Sequence, residues 1–301
     1  MTEENGIPTV VEPMEFVKPD DVCTIDCSGL KAYHTCPMIY YYRYICGIVP
    51  TVPVSAPSYG KAFHKAWREL YRQQVSKETQ DVGKVLGEFL SAFPEDLDEL
   101  HTRGNGTSIL TEYVKHYKEE PFVVIVTEAP FQVNLGAFDF MGRIDAIVRW
   151  YDKVLVMEHK TSTRPAAILK EFDYGIQPIG YVYASKLLGY EECEGVLLNV
   201  TAVNMPKTAQ AMKRWKEERF TRKVVTISEQ ELHTFHILVN RTMLEIWDGR
   251  FYKNLAGCNV YGRCDYYSIC KYGWDMVSDS YVVSVWDPYK EDEDNELLGG
   301  L

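Results

Sequence analysis

No run in the 301-residue chain approaches the roughly 18 uncharged residues that a membrane-spanning helix needs. The opening residues, MTEENGIPTVVEPMEF, lack the basic start and apolar centre of a secretory leader, so the expectation is a soluble protein of the cytoplasm, with no membrane partner. Internal repeats and low-complexity linkers are also missing, which sets aside solenoid and propeller architectures. No Cys-x2-Cys pair occurs, which excludes the knuckle of a zinc ribbon, although eight cysteines are present. In a reducing compartment those cysteines point to metal binding or free thiols rather than disulfides.

What is present is ordinary in amount and uneven in placement. With 46% apolar and 25% charged residues, the chain can build one large domain or two small ones. The net charge of −11 opposes a polyanionic partner only until it is mapped. Residues 1–21 carry six acids and one lysine, and residues 287–301 carry six acids and Lys290, so the two ends hold −10 of it. They read as acidic, disordered tails (1–22 and 287–301) around a nearly neutral body at 23–286. Within the body, KTAQAMKRWKEERFTRKV is a basic run, read either as a solvated helix face or as a phosphate-contacting patch.

Periodicity predicts one aromatic helix through SGLKAYHTCPMIYYYRYICGI and another in YGKAFHKAWRELYRQQV, with Phe63, Trp67, Leu70 and Tyr71 at helical spacing. Residues 82–118 read as helical pieces broken around RGNGT. PFVVIVTEAPFQV and GRIDAIVRWYDKVLVMEHKTS read as strands, GIQPIGYVYASKLLGY as a helix, and CEGVLLNVTAV and TRKVVTI as further strands. Ser228-Glu229-Gln230-Glu231 is a capping box that opens a helix to Trp247. Helices, a strand cluster, a crossover helix and more strands imply an α/β fold around one mixed sheet, with a helical insertion at about 60–120.

The hairpin within this cluster carries the sharpest chemistry. Side chains alternate along a strand, so Glu158 and Lys160 share a face and His159 points the other way. A Tyr151-Asp152 turn pairs Trp150 with Lys153 and sets Asp145 opposite Glu158; an Asp152-Lys153 turn sets it opposite Lys160. Either register places two acids and a lysine on one face among Ile144, Ile147, Val154 and Val156. That costs desolvation energy unless something compensates, and a divalent cation does. Hard carboxylate oxygens suit Mg²⁺ or Mn²⁺; the competing reading is a surface ladder of ion pairs. His64 lies on the helix of Trp67 and Tyr71, where a ligand and a partly buried structural histidine are both compatible with the pattern. Gln177 and Tyr181 are i,i+4 and share a helix face; Pro178 suits a first turn with Gln177 as N-cap.

Cys258, Cys264 and Cys270 are spaced by five residues each and need a fourth ligand to complete a metal site. Cys36, Cys23, Cys27 and Cys46 compete for that role. Cys193, and Cys46 as well, also read as small buried hydrophobes.

In the order CPMIYYYRYICGI, GKAFH, GRIDAIV, EHKTS, QPIGY and the last three cysteines, the chain resembles the PD-(D/E)XK nuclease superfamily. The resemblance is to the RecB-like branch, which includes iron–sulfur exonucleases of CRISPR adaptation and recombinational repair. It runs from about Ser28 to Cys270. It implies a restriction-endonuclease-like core, with a mixed central sheet flanked by helices and a C-terminal cysteine cluster. It implies His64, Asp145 and Glu158 as metal ligands, Glu128 as a further candidate, and Lys160 as the catalytic lysine. Gln177 and Tyr181 become residues that contact the strand or orient the lysine. Cys36 joins Cys258, Cys264 and Cys270 around a [4Fe–4S] cluster, with zinc as the alternative. The activity implied is Mg²⁺- or Mn²⁺-dependent DNA hydrolysis, most simply exonucleolytic, on single strands or free ends in repair or recombination. With no helicase motif in the chain, it acts alone or beside a helicase or recombination partner. Two rivals remain at this stage: a nucleic-acid-binding module of the same fold with little cleavage, and a metal-stapled structural or interaction protein.

Overall fold

The computed structural model describes residues 24–51, 55–204, 212, 215, 218–260, 262–273 and 280–284. Both acidic tails, Cys23 and half of the basic run fall outside those residues. Strand β1 (Thr24–Ile25) leads into α1 (Cys27–Thr35), capped by Asp26, whose carboxylate accepts the Gly29 N–H at 2.6 Å. The aromatic segment is three pieces rather than one helix. A proline pushes the residue before it out of helical geometry, so Cys36 is extended (φ −164°) and Pro37 restarts the chain as α2 (Pro37–Tyr40). A π-helical turn, Tyr41–Ile45, follows, and Gly47 at φ +64° leads into β2 (Ile48–Pro50).

The next helices are α3 (Ser55–Val75), α4 (Val82–Ala92) and α5 (Arg103–His116). RGNGT opens α5 rather than breaking it, because the Thr102 hydroxyl caps the Asn105 N–H. Gly106 is there for packing: a Cβ at that position would lie 2.0 Å from Phe89 Cζ.

Strands β3 (Val123–Asn134), β4 (Asp139–Trp150), β5 (Lys153–Ser162), β6 (Cys193–Ala202) and β7 (Phe220–Thr226) join β1 in a six-stranded mixed sheet. The path runs β1-β4-β5-β6-β7 with β3 against β4. Helices α6 (Pro165–Glu171) and α7 (Ile176–Leu187) make the crossover between the parallel strands β5 and β6. The capping box holds as expected, with both reciprocal bonds, and opens α8 (Glu229–Trp247). A short helix α9 (Tyr267–Tyr272) and β8 (Tyr281–Val283), antiparallel to β2, complete the described chain. Among the described residues no helix is long and apolar enough to cross a membrane.

Alternation along β5 divides two cores. Val154 and Val156 pack with α1, α2, α7 and α8, whereas Leu155 and Met157 pack with α3, α4 and α5. The sheet is therefore covered on both faces, as the resemblance implied.

Two arginines at the described end of the basic run are structural. Arg222 Nη2 donates to Glu120 Oε1 at 2.8 Å and to Tyr113 Oη at 3.1 Å, and its guanidinium lies 3.4 Å from the Tyr117 ring centroid. Arg219, 2% exposed, pairs with Glu112. Carboxylates and aromatic rings hold both arginines inward, so neither is placed to meet a phosphate backbone.

A candidate active site at a fork in the sheet

The β4–β5 hairpin adopts the first of the two registers. Trp150 pairs with Lys153, and the ladder runs to Ala146 opposite Met157. Tyr151 takes φ +57°, the positive sign that a two-residue hairpin loop requires of a central residue. Beyond Ala146 the strands part. On this edge of β4 the next pairing is with β1, at Asp139 and Phe140, while β5 continues beside β6 as far as Ser162. Asp145, Glu158 and Lys160 thus stand at a fork rather than on a continuous ladder.

Side chains from α3 and α7 reach into this fork from opposite faces. His64 Nδ1 lies 3.1 Å from Asp145 Oδ1, and Asp145 Oδ2 accepts the His159 N–H at 2.8 Å. Glu158 Oε1 accepts from Lys160 Nζ at 2.7 Å and from Gln177 Nε2 at 2.8 Å. Gln177 is therefore not an N-cap: Gly175 holds that position, which frees the Gln177 amide to orient Glu158. Tyr181 is bonded to Gln177 and set edge-on to Phe131, so it supports the amide and is not free to stack on a base. Gly142, in the G-x-x-D motif, lets these rings pack, since a Cβ there would lie 2.9 Å from Phe131 Cζ.

Glu128 comes to the site through an unexpected backbone. It occupies the position opposite Asp145 between the Thr127–Ala146 and Ala129–Ile144 pairs, and has φ +49°. A non-glycine residue held there costs about 1–3 kcal/mol and is concentrated at functional sites. Glu128 and Asp145 line one cavity of ≈ 170 Å³, and Arg143 Nη1 lies 3.5 Å from Glu128 Oε2. On the other side of Arg143 a larger groove of ≈ 890 Å³ runs past Lys160, Gln177 and Tyr181 to Arg164 and Tyr174, the last 72% exposed.

Electrostatics separates the roles of the acids. Burial and the Asp145 charge push Glu158 up to about 7, against the pull of Lys160. Burial also tends to raise Asp145, but the His64 charge and hydrogen bond prevail and hold it at about 2. His64 itself is disfavoured by burial and favoured more strongly by Asp145, which raises it to about 9. His159, on the opposite face, stacks on Trp67 at 4.5 Å, and burial lowers it to about 3, so it stays neutral.

Among the described residues no three Cys, His, Asp or Glu groups stand, as placed, at the mutual spacing of a closed metal site. The donor set nonetheless suits a hard divalent cation. Glu158 Oε2 is buried with no hydrogen-bond partner, an orphaned carboxylate oxygen beside a histidine and a second carboxylate. For His64 to become a ligand, the imidazole must lose a proton. In EDTA the His64 ring is therefore expected to titrate with a midpoint near 9 by NMR, and Mn²⁺ binding at pH 7 to release a proton in buffers of different ionisation enthalpy. A midpoint near 6.5 would remove the His64–Asp145 coupling. The raised His64 contributes fully below pH 6.5 and loses its contribution as pH rises through about 9, while the depressed Asp145 contributes above 3.8 and fails as pH falls through about 2.

Cys36, Cys258, Cys264 and Cys270 line one small cavity of ≈ 30 Å³. Of the rivals, Cys27 instead lines the α7 groove, and neither it nor Cys46 reaches this cavity. Asn254 N donates to Cys36 Sγ at 3.2 Å, and Asn254 Nδ2 to Thr35 O at 2.8 Å, which docks the late segment on the Cys36 break. Burial raises Cys264 to about 11. By donor type, four cysteines lining one small cavity suit a thiophilic centre. Cys193, at the start of β6, is fully buried, as its segment suggested.

A model of the PD-(D/E)XK nuclease superfamily matches residues 25–271. No curated protein matches the chain in sequence. Among solved structures, a candidate exonuclease from Eubacterium rectale is 11% identical with a TM-score of 0.44, covering 93% of this chain and 94% of its own. The protein SSO0001 is 18% identical with a TM-score of 0.34, covering 83% of this chain and 87% of its own.

Proposed function

The chain belongs to the PD-(D/E)XK nuclease superfamily, and from that premise we propose that it is a Mg²⁺- or Mn²⁺-dependent deoxyribonuclease acting on single strands or free DNA ends. The observation that carries this reading is the convergence of His64, Asp145, Glu158, Lys160 and Gln177 at one fork, each within hydrogen-bond distance of another.

In this reading Asp145, Glu158 and His64 hold the cation, with Glu128 as an added carboxylate. A divalent cation held there would supply Lewis-acid polarisation of a phosphate and ease deprotonation of a water. Lys160 orients that water and offsets the charge that develops on the phosphoryl oxygens. Gln177 keeps Glu158 aimed at the site, and the groove along α6 and α7 receives the strand, with Tyr174 offering an exposed ring for a base. The products are 5′-phosphate and 3′-hydroxyl ends. Cys36, Cys258, Cys264 and Cys270 are proposed to hold a [4Fe–4S] cluster, or zinc, within a single domain spanning 23–286. We infer that it acts in the cytoplasm, alone or on strands opened by a helicase or recombination partner.

Mn²⁺-dependent degradation of end-labelled single-stranded and duplex DNA, abolished by EDTA, tests this. DNA binding without cleavage in either metal would favour a binding module instead.

A further inference from the structure

Lys61, His64, Lys65 and Arg68 occupy α3 at i, i+3, i+4 and i+7, one continuous helix face. That face forms one wall of the ≈ 170 Å³ cavity, and Arg143 on β4 closes it next to Asp145. Lys61, Lys65, Arg68 and Arg143 line the cavity together with His64, against two carboxylates, Glu128 and Asp145. Lys61, Lys65, Arg68 and Arg143 are all half-buried, so their charges act in a concave, partly desolvated space. Clefts of this kind concentrate field and draw anions.

Position gives the cavity its meaning. Arg143 lines both this cavity, beside Asp145, and the larger groove beside α7, where Lys160 lies, so the two adjoin at Arg143. A strand entering along the groove and crossing the fork meets the α3 face next. The basic run at 207–223 cannot supply this contact through Arg219 and Arg222, which are committed to Glu112 and Glu120. We propose that Lys61, Lys65 and Arg68 form a phosphate subsite. It holds the backbone phosphate adjacent to the one being cut, on the side away from α7, with Arg143 bridging the two. Its ligand is a phosphodiester of a nucleic-acid strand, recognised by charge and not by sequence. The inference rests on the nuclease reading.

The test is the salt dependence of binding, which a merely structural lysine does not move. A fluorescein-labelled oligo(dT) is titrated with the full-length protein in EDTA, over 50–200 mM salt, by anisotropy. Each phosphate contact removed should flatten the log–log slope by about 0.7, so the affinity deficit of a variant shrinks by about threefold per contact across that range. The Lys65→Ala/Arg68→Ala double variant should lose about 1.4 from the slope. Its KM should rise, its kcat should stay within about twofold of the parent, and its melting temperature should be unchanged. Lys115→Ala, an exposed lysine on α5, should leave the slope as it is. A parent that degrades DNA while the double variant keeps the parental slope and affinity would overturn the subsite and leave the nuclease reading intact. A parent that neither binds nor cleaves DNA would overturn both.

Discussion

Replacing Lys160 by alanine is expected to cut turnover at least ~100-fold, about 3 kcal/mol of transition-state stabilisation, with little change in strand binding. The magnitude follows from two linked losses. Lys160 Nζ is a cation placed at the fork, where charge would develop on the phosphate, and it is also the 2.7 Å partner of Glu158. Glu158 is 2% exposed, and burial already holds it near 7. Without the ammonium its carboxyl moves further up and is protonated at neutral pH, which weakens its claim on a cation. The pH–rate profile of Lys160→Ala should therefore shift upward as well as fall, with activity recovered partly at higher pH or at higher Mn²⁺. A parental rate with a parental profile would remove Lys160 from the mechanism. A fallen rate with an unshifted profile would keep Lys160 as an electrostatic group while discarding its hold on Glu158.

If the four cysteines hold a metal centre, as proposed, Cys36→Ser is expected to release it and to lower the melting temperature sharply. Cys36 and Cys258 are 222 positions apart, so a centre that both ligate closes a very long loop. Restricting the unfolded chain in this way is worth on the order of 5 kcal/mol by the loop-entropy argument for cross-links. A typical domain has only roughly 5–15 kcal/mol in total. The local structure concentrates that effect. The segment Asn254–Gly257 sits directly on the Cys36 break, where a Cβ on Gly257 would lie 2.5 Å from Thr35 O. Loss of the centre should therefore loosen both chain ends, and nuclease activity should fall through unfolding. Anaerobically purified parent is expected to be brown, with iron and sulfide in equal amounts. Cys193→Ser should keep the colour, since Cys193 lies in the core of β6. Colourless parent holding zinc would keep the staple and discard the iron. Metal-free protein with the parental melting temperature would discard both.

Features that local sequence could encode were legible in it. Alternation along GRIDAIV and MEHKT placed Glu158 and Lys160 together and sent His159 to the other core. The turn at Tyr151-Asp152 then set the register. Ser228 and Glu231 marked the start of α8, because a capping box is complete within four residues. Other features needed the tertiary structure. The fork depends on where β1 and β5 end along β4, which no periodicity specifies. The bond from His64 to Asp145 spans 81 positions, and the choice of Cys36 over Cys27 and Cys46 depends on the docking of a segment more than 200 residues later. Glu128 kept its strand pattern in sequence, and only the packing around Asp145 reveals its left-handed backbone. Lys61, Lys65 and Arg68 share the spacing of His64 and could have been noticed. Their importance appears only when α3 turns that face to β4, since a helix pattern says which residues stand together but not what they stand against.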